Sequence, residues 1–513
     1  MNTALDLILQ AADRTPDREA IVDDLMSRHL TYRELQVEID SVAAGMLAFG
    51  IRPGQTVATA LPNIFEHCVA LLAIQRLGAV AVPINPRLPA SQIAYCVKLV
   101  RACAIIMLDD DELAEQLPGY VLTLRVGKSA SANFHECQGD IARLPCIPRP
   151  KPNDPAFILF TSGTTGKPKA VVLPHRASEP RVTWILQSFG VRPAPFLKVL
   201  GAAPMFHAIG LQGVFLTTLA LGGTYYTLAA FHPATAREIV RHQGINLLFM
   251  PPVMFHGLVR EADYGPGAFK SVQYVIYGGS PMESALFEQL EKEWPSKIMH
   301  GYGSTELMCP LFQTDPGGRL RNFQAALGWQ IRAIVPGGQA SDVVPIGCVG
   351  ELIFDTRNDS MFSGYFDNSA ANAEKLKDGW YYSGDLAVRT LEGYNVVGRV
   401  DDMIRTGSET VYPEELETLL AQHEGIAEAC VVGLPHQRWG QQVTAVVVAR
   451  SEITGESLRR WLADRKDLAP HKRPKAFLII DGPLPRSPLS KLDRAAIKSL
   501  ALSIVTSSRE HAA

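Results

Sequence analysis

The sequence lacks the features that mark several large classes of protein. Its 513 residues carry 49 lysines and arginines against 52 aspartates and glutamates, a formal net charge of -3. Such a balance provides no basic surface for nucleic acid or an anionic membrane, so neither partner is expected. The eight cysteines are scattered without a Cys-x-x-Cys pair, which argues against a disulfide framework or a zinc site. We therefore expect reduced thiols in a cytoplasmic protein.

The N-terminus also lacks the pattern of a signal peptide, since it has no basic leader and Asp6 interrupts its only apolar stretch. One long segment, 199–236, has no charged residue and could on length alone span a bilayer. Pro204, His207 and the Gly222–Gly223 pair interrupt it, and Gly-Gly before Thr-Tyr-Tyr-Thr indicates a turn into a strand. We interpret the segment as a buried helix–strand unit and expect no membrane span.

Short apolar strands alternate with helical stretches along most of the chain, as in VATAL (57–61) before a helix at 64–77. This alternation predicts an α/β fold with largely parallel sheets. The chain is too long for one core, and charged residues concentrate near 398–417. We predict a large N-terminal domain, residues 1–400, of layered α/β subdomains plus a β-rich section. A small C-terminal α+β domain, residues 401–513, would follow.

The stretch FILFTSGTTGKPKA (157–170) has the composition of a phosphate-binding loop but is not a P-loop. A P-loop requires glycine at 161 and Ser or Thr at 168, whereas the sequence has Thr161 and Pro168. Hydroxyls, glycines and lysines still suit an anion, namely Thr161, Ser162, Gly163, Thr164, Thr165, Gly166, Lys167 and Lys169. A solvated hairpin loop would have the same composition.

This loop, TSGTTGKPK (161–169), resembles the signature of the adenylate-forming superfamily. Seven further motifs of that family follow in its order: PMFHAIGL (204–211), YGGSP (277–281), GYGSTE (301–306), YYSGDL (381–386), GRVDD (398–402), VYPEELE (411–417) and PRSPLSKLDR (485–494). The resemblance covers essentially the whole chain. It implies an AMP-forming acyl-CoA synthetase that uses ATP, Mg²⁺ and coenzyme A, activating a carboxylic acid to acyl-AMP before forming a thioester.

The resemblance also implies a nucleotide site. In the family the 161–169 loop binds the β- and γ-phosphates, and Glu306, with Thr165, is associated with magnesium, which favours hard oxygen ligands. The remaining ATP and AMP contacts would be Gly279, Ser280, Pro281, Gly301, Tyr302, Gly303, Ser304, Thr305, Asp385 and Arg399. Outside this set of motifs, a glutamate is usually a surface residue and an aspartate after Ser-Gly a turn residue.

The catalytic and acyl-binding residues follow from the same resemblance. Lys491 would neutralise charge between the carboxylate and the α-phosphate, a task suited to a flexible ammonium; otherwise it would be a solvated lysine. His207, which without the motif would be a core histidine, and Glu306 complete the catalytic set. The acyl pocket would draw on His207, Ile209, Gly210, Tyr277, Gly278 and Met308.

The small domain of this family rotates between the two half-reactions, and Asp401 matches its hinge residue. Coenzyme A contacts would come from Arg87, Gly407, Ser408, Trp439 and Arg473. The chain departs from the family pattern in having Ser408 in place of one glycine of a pair, Arg405 in place of lysine, and Ser490 in place of the glycine before Lys491. Since serine is small, we expect thioester formation to survive.

The sequence leaves three matters open. The acid could be medium-chain, branched, alicyclic or aromatic, although a predicted pocket without arginine argues against dicarboxylates. The acceptor could be a carrier-protein phosphopantetheine instead of coenzyme A, and the chain could be a non-catalytic nucleotide-binding relative. Whether it forms a homodimer is also open.

Overall fold

The computed structural model describes the whole chain except residues 1, 128–133, 147, 162–167, 193–196, 315–321, 408, 466–467, 471, 487–491 and 511–513; for residues 145–146 and 507–510 it describes the backbone alone. Contacts divide the chain into two compact units. The first unit comprises Met1–Gln330 and Asp355–Tyr381, and the second comprises Ile331–Phe354 and Tyr382–Ala513.

The strands of the described residues are numbered along the chain. They are β1 (Glu19–Asp23), β2 (Arg28–Thr31), β3 (Thr56–Ala60), β4 (Val80–Pro83), β5 (Ala104–Leu108), β6 (Leu122–Val126), β7 (Pro155–Thr161), β8 (Lys169–Pro174), β9 (Lys198–Gly201), β10 (Thr224–Thr227), β11 (Leu247–Met250), β12 (Tyr274–Gly278), β13 (Lys297–Tyr302), β14 (Leu311–Gln313), β15 (Gln324–Ala325), β16 (Ile331–Ile334), β17 (Val349–Asp355), β18 (Gly364–Tyr365), β19 (Leu376–Lys377), β20 (Trp380–Arg389), β21 (Tyr394–Arg399), β22 (Ile404–Thr406), β23 (Glu409–Val411), β24 (Ile426–His436), β25 (Gly440–Ala449) and β26 (Ala476–Ile480).

The helices are numbered in the same way. They are α1 (Ala4–Arg14), α2 (Tyr32–Ala48), α3 (Phe65–Arg76), α4 (Ala90–Leu99), α5 (Asp111–Gln116), α6 (Ser178–Phe189), α7 (Thr217–Ala220), α8 (Pro233–Gln243), α9 (Pro252–Val259), α10 (Ser284–Glu293), α11 (Ser369–Lys375), α12 (Pro413–Leu420), α13 (Gly455–Ala463) and α14 (Arg494–Glu510). A π-helix spans Ile209–Leu216.

Two sheets build the first unit. One has the order β15-β14-β13-β12-β11-β9-β10-β1-β2, and the other has the order β18-β8-β7-β4-β3-β5-β6. Pairing is parallel from β13 through to β1 and from β7 through to β6, with antiparallel strands at the margins. Strands such as β4 and β11 are buried along their whole length, as expected where helices cover both faces of a parallel sheet. The predicted α/β architecture is confirmed.

The uncharged segment 199–236 folds as the sequence predicts. It runs from β9 through the π-helix and α7 to the Gly222–Gly223 turn and β10. Among the described residues, no helix combines the length and the apolar character needed to cross a membrane. Gly210, in the π-helix, packs so closely that a Cβ placed there would lie 2.1 Å from the carbonyl oxygen of Pro204.

The second unit contains two smaller sheets. In one, β16, β17, β20 and β21 are neighbours in that order; in the other, the order is β23-β22-β25-β24, with β26 parallel to β25. Helices α12 and α14 pack on β24, and α13 on β26. A separate C-terminal α+β unit is therefore confirmed. The contacts also place residues 331–354 and 382–400 in this second unit. The predicted boundary at 400/401 assigns them to the N-terminal domain.

Candidate active site

Part of the predicted site falls outside the described residues. This applies to most of the phosphate loop and to the predicted catalytic lysine with its neighbours: Ser162, Gly163, Thr164, Thr165, Gly166, Lys167, Ser408, Ser490 and Lys491. The flanks of the loop are described. Strands β7 and β8 form an antiparallel hairpin in which Thr161 pairs with Lys169, so the loop leaves and re-enters the sheet at adjacent positions.

A carboxylate predicted for magnesium lies close to one of these flanks. Glu306 is 7% exposed, and the hydroxyl of Tyr365 donates a hydrogen bond of 2.8 Å to its Oε1. Burial, together with the nearby Glu306 charge, raises the pKa of Tyr365, so its hydroxyl keeps the proton that it donates. Lys169 places Nζ 5.3 Å from the centroid of the Tyr365 ring, within cation–π range. The structure thus brings Lys169, Tyr365 and Glu306 together.

Arg181, on α6, supports the backbone of Glu306 and is fully buried. Its Nη2 donates to the carbonyl of Glu306 (2.8 Å), and its Nη1 donates to the carbonyl of Thr305 (3.0 Å). Nε donates to the carbonyl of Ser360 (2.7 Å), and Nη1 also donates to Oε1 of Gln212 (2.9 Å). Burial lowers the pKa of Arg181 to about 9, so the guanidinium remains charged at neutral pH.

Sequence reasoning missed both Tyr365 and Arg181. Tyr365 follows Gly364, which has φ +122°, a value that favours glycine; a Gly-Tyr pair after an apolar stretch was the available signal. Arg181 gives no comparable signal, because the sequence does not reveal which arginine of a helix faces the interior. Its partners are 31 to 179 residues away along the chain.

The GYGSTE motif forms a tight turn after β13. A Cβ at Gly303 would lie 1.6 Å from the carbonyl oxygen of Met308, so only glycine fits there. Met308 itself has φ +67°, a strained value for a residue other than glycine. The hydroxyl of Ser304 is buried and has no hydrogen-bond partner within the described residues. Tyr302 and Thr305 are partly buried.

The YGGSP motif ends the neighbouring parallel strand. Tyr277 pairs with His300 and Gly278 with Gly301 across β12 and β13, so both motifs emerge at the carboxyl ends of adjacent strands, where ligands of open α/β sheets bind. The exposed residues Gly279, Ser280 and Pro281 follow β12, and Gly279 turns the chain with φ +84°.

Three of the predicted acyl residues, Ile209, Gly278 and Met308, lie around an apolar cluster beside these strand ends. A Cβ at Gly278 would lie 3.7 Å from Cδ1 of Ile209 and 3.8 Å from Cε2 of Phe249; one at Gly213 would lie 3.0 Å from Cε of Met308. Phe249 packs edge-on against Trp184, with ring centroids 6.0 Å apart.

Two aromatic residues of this acyl cluster, Trp184 and Phe249, were not predicted from the sequence. They lie on a helix and a strand that contain no motif of the family, so only the fold brings them to the cluster. His207 lies just before the π-helix, partly exposed, and packs edge-on against Phe206 with ring centroids 4.6 Å apart. Tyr277 stacks on His300 at 4.2 Å, and burial lowers the pKa of His300 to about 4. That imidazole is therefore neutral at physiological pH.

In the second unit, the predicted ribose residues pair with each other. Asp385 on β20 lies opposite Arg399 on β21, and Nη1 of Arg399 donates a hydrogen bond of 2.6 Å to Oδ1 of Asp385. The carboxyl group of Glu414, on α12, lies beside this strand pair: a Cβ at Gly398 would lie 3.5 Å from its Oε2. Burial raises the pKa of Glu414 to about 7, and the nearby charges of Glu417, Asp402 and Asp385 add to the shift while Arg494 opposes it.

The predicted hinge precedes an ionic cluster. Asp401 is exposed, whereas its neighbour Asp402 forms a 3.3 Å ion pair with Nε of Arg494. Arg494 also binds Glu417 through two parallel hydrogen bonds of 2.6 and 2.7 Å. A two-pronged arginine–carboxylate pair of this kind is among the stronger polar contacts in proteins.

The predicted coenzyme A residues are only partly brought together. Gly407 has φ +65° and donates its N–H to the carbonyl of Trp439 at 2.8 Å. The Trp439 ring stacks on His436 at 4.4 Å. Arg473, by contrast, turns inward and donates to the carbonyls of Arg465 and Leu468.

Arg87, the remaining predicted coenzyme A residue, belongs to the first unit. It is exposed, and its backbone N–H donates to Oδ1 of Asn85. Among the described residues, no group of three or more His, Cys, Asp or Glu side chains is arranged to hold a metal ion.

Comparison with known proteins gives concordant matches. The family model for AMP-binding enzymes matches residues 8–366, and the model for the C-terminal domain of AMP-binding enzymes matches residues 415–491. The chain is 36% identical over 503 residues to a 4-chlorobenzoate–CoA ligase of Arthrobacter sp., covering 97% of this chain and 95% of the relative.

A second relative and a solved structure extend this result. The chain is 32% identical over 461 residues to a feruloyl-CoA synthase of Amycolatopsis sp., covering 88% of this chain and 90% of the relative. The o-succinylbenzoate CoA synthetase of Bacillus subtilis, solved with its acyl-adenylate intermediate, superimposes with a TM-score of 0.82 at 24% identity. That match covers 96% of this chain and 97% of the other.

Proposed function

Because the chain belongs to the family of AMP-binding enzymes and is an AMP-forming acid–thiol ligase, we propose that it joins an aromatic carboxylic acid to coenzyme A. The acid is first activated to acyl-AMP with release of pyrophosphate, and the thiol then displaces AMP. Both half-reactions develop charge on phosphate or carbonyl oxygens, so the protein contributes mainly positioning and electrostatic stabilisation.

The observation that carries the aromatic assignment is the acyl cluster around Ile209. Trp184 and Phe249 supply aromatic edges and faces, and glycine at positions 213 and 278 lets the atoms of the cluster pack directly against the backbone. A flat ring gains more from such edge-to-face contacts than a flexible alkyl chain does. The side chains that form the cluster carry no charge, so it offers no partner for a second carboxylate.

The relatives support the same assignment. The two reported above are described as acting on 4-chlorobenzoate and on ferulate, both of which are ring-bearing acids.

The magnesium assignment is consistent with the residues present. Mg²⁺ typically takes one or two carboxylates beside phosphate oxygens and water, and Glu306 is such a hard donor, oriented by Tyr365. We assign Glu306, with Thr165, to holding the ion, which when bound neutralises polyphosphate charge. Lys169, at the flank of the phosphate loop, would contribute further positive charge.

The remaining roles follow the family motifs. The loop 161–169 would hold the leaving pyrophosphate, and the residues after β12 and β13 would line the adenine site. Asp385 would accept hydrogen bonds from the ribose hydroxyls, with Arg399 beside it. Lys491 would approach the reacting carboxylate when the small domain rotates about Asp401.

For the second half-reaction, we assign the pantetheine passage to the segment at Gly407 and Ser408. The neighbouring Trp439 would stack on the adenine of coenzyme A. Arg87 and Arg473 would contact its phosphates, which requires Arg473 to exchange its backbone carbonyl partners for phosphate oxygens. A 3′-phosphate is a stronger acceptor for a guanidinium than a carbonyl oxygen is.

The test is pyrophosphate release from ATP with a panel of acids: 4-substituted benzoates, cinnamates, hexanoate, octanoate, cyclohexanecarboxylate and succinate. We expect kcat/KM for the best aryl acid to exceed that for hexanoate by at least about tenfold, or ~1.4 kcal/mol, the scale of aromatic contacts beyond area burial. Trp184→Ala should remove most of this preference, whereas Trp461→Ala, in the second unit, should leave it unchanged. A straight-chain acid as best substrate would overturn the aromatic assignment.

A further inference from the structure

Arg181 is held in an arrangement that is costly for a buried charge. It is fully buried, and its four hydrogen bonds all go to neutral oxygens: the carbonyls of Ser360, Thr305 and Glu306 and the side-chain oxygen of Gln212. Removing a guanidinium from water is expensive, and carbonyl dipoles compensate less than a carboxylate would. An apolar residue would leave these four oxygens without a donor, and an ammonium cannot reach all of them from one plane, so the planar guanidinium of arginine has a specific use here.

The fork joins three segments that contain candidate site residues. One is the turn at 303–308, which carries Glu306. The second is the loop around Ser360. Just after it, the backbone N–H of Phe362 donates a 3.0 Å hydrogen bond to the carbonyl of Glu306, and the hydroxyl of Tyr365 donates to the Glu306 carboxylate. Both hydrogen bonds converge on Glu306. A displacement of Arg181 would therefore move the Glu306 carboxylate both through its own backbone and through the Ser360 loop that bonds it.

The third segment is the π-helix 209–216. π-helices are rare and often occur at functional sites, and this one contributes Ile209 to the acyl cluster. Gln212 is 1% exposed. Its side-chain oxygen accepts from Arg181, and its carbonyl accepts from the hydroxyl of Thr217 at 2.6 Å. A single side chain thus connects the wall of the acyl cluster to the backbone of Glu306.

We propose that Arg181 is a positioning residue for acyl-adenylate formation, which holds Glu306 in place for magnesium and, through Gln212, couples the magnesium requirement to the acid site. This inference rests on the proposed magnesium role of Glu306. Arg181 touches no reacting atom in this scheme. It acts through the position of the Glu306 backbone and through the π-helix.

The first experiment makes two measurements on the full-length enzyme. One is pyrophosphate release with a saturating aryl acid while Mg²⁺ is varied; the other is calorimetric binding of ATP with Mg²⁺ in the absence of acid, where the Mg²⁺ dependence of the Kd should shift in the same direction. Arg181→Lys keeps the charge but loses the fork, so kcat should fall about 100-fold, as expected for two or more charge-assisted hydrogen bonds. The half-saturating Mg²⁺ concentration should rise about tenfold. The KM for the acid at saturating Mg²⁺ should stay within about twofold of the parent. A purely structural role would lower the amount of active enzyme without moving the Mg²⁺ dependence.

Arg176 provides a matched control. It is a half-buried arginine that donates to the carbonyls of Asp359 and Met361, so it holds the same loop as Arg181 without contacting the 303–308 turn. Arg176→Lys should lower thermal stability and leave the half-saturating Mg²⁺ concentration unchanged. An equal shift in Mg²⁺ dependence for both lysine variants would overturn the proposal.

Two further variants test the proposal even if Arg181→Lys does not fold. Gln212→Leu removes the link to the π-helix and leaves Arg181 in place; in this variant the apparent KM for the acid should no longer depend on the Mg²⁺ concentration. For Arg181→Ala, millimolar guanidinium chloride should restore part of the activity, whereas sodium chloride at equal ionic strength should not. Unchanged Mg²⁺ behaviour in Gln212→Leu together with absent guanidinium rescue would overturn the proposal.

The two proposals fail differently. If the parent enzyme releases no pyrophosphate with any acid, the proposed function is wrong. If the parent is active but the Arg181→Lys enzyme keeps the parental Mg²⁺ dependence, the role of Arg181 alone is wrong.

Discussion

Arg181 in the first unit and Arg494 in the second are both largely withdrawn from water, but different oxygens surround them. Arg181 faces backbone carbonyls and one amide, and burial lowers its pKa to about 9. For Arg494, burial also acts to lower the pKa, but the hydrogen bonds and charge of Glu417, together with Asp402, outweigh it and raise the pKa. The hydrogen bonds of Arg181 all go to uncharged oxygens, and the Glu306 carboxylate acts on it only through its charge. Arg494 bonds a carboxylate directly.

This difference fits the role proposed for each region. Carbonyl dipoles do not titrate, so the contacts of Arg181 persist over the whole working pH range and suit a loop that must stay in one place. Ion pairs are strong but depend on protonation and on both partners being present. Arg494 joins α14 to Asp402, the residue after the predicted hinge, and to Glu417 on α12, so its ion pairs tie the start of the small domain to two of its helices.

The largest effect that would separate the two regions is expected for Arg494→Met. The substitution removes the cation that Glu417 and Asp402 bind, and leaves Arg399 as a nearby positive charge for Asp402 alone. The loss should cost about 3–5 kcal/mol of unfolding free energy at pH 8, as for other broken buried pairs. The loss should shrink at pH 5, because the unpaired carboxylates then take up protons. Urea unfolding at the two pH values measures it.

The control for that experiment is Arg486→Met. Arg486 pairs with Glu428 at 2.8 Å, but its side chain is 41% exposed, so its loss should cost less than about 1 kcal/mol at either pH. If Arg494→Met destabilised the protein equally at pH 5 and pH 8, ionic attraction would not be what stabilises the cluster of Arg494, Glu417 and Asp402.

An intermediate effect is expected in the first unit for Tyr365→Phe. The change deletes the hydroxyl that donates to Glu306 and keeps the ring beside Lys169. A hydrogen bond to a charged group contributes about 1.5–3 kcal/mol, so kcat/KM at limiting Mg²⁺ should fall about 10- to 100-fold. Because the tyrosine keeps its proton at ordinary pH, the deficit should be the same at pH 6.5 and pH 8.5.

Steady-state pyrophosphate release at the two pH values checks this, with Tyr95→Phe as control. Tyr95 is 40% exposed on α4, so its hydroxyl can be lost without effect on the reaction. A deficit for Tyr365→Phe that grew markedly between pH 6.5 and pH 8.5 would mean that this centre, too, depends on a titrating group.

The sequence was sufficient for the α/β layering, and several residues that it places in motifs contact one another in the structure. Asp385 and Arg399, for example, are opposite each other in register, and Thr161 and Lys169 are the paired ends of one hairpin. Alternating apolar segments and turn residues specify such local features. The family match then relates the motifs to nucleotide chemistry.

What the sequence did not reveal depends on contacts between distant segments. Trp184, Arg181 and Tyr365 belong to no recognised motif, and their roles arise only when α6 and β18 pack beside the 303–308 turn. The contacts also group residues 331–354 and 382–400 with the C-terminal residues, and the predicted domain boundary at 400/401 stays a prediction. The position of the hinge at Asp401 likewise remains a prediction.

The smallest effect in this comparison is expected for Glu414→Gln, again in the second unit. Burial, with Glu417, Asp402 and Asp385 adding and Arg494 opposing, raises the pKa of Glu414 from 4.5 to about 7. Between these pH values the folded protein binds more protons than the unfolded chain, so this carboxyl makes unfolding easier as pH rises through the interval. Glutamine keeps the shape and stays neutral, so Glu414→Gln should stabilise the protein by on the order of 1–2 kcal/mol at pH 8 and hardly at all at pH 5. Glu424→Gln, an exposed carboxylate with the same change of charge, should show no such pH dependence. A gain for Glu414→Gln that was equal at both pH values would show that packing, and not the proton, is responsible.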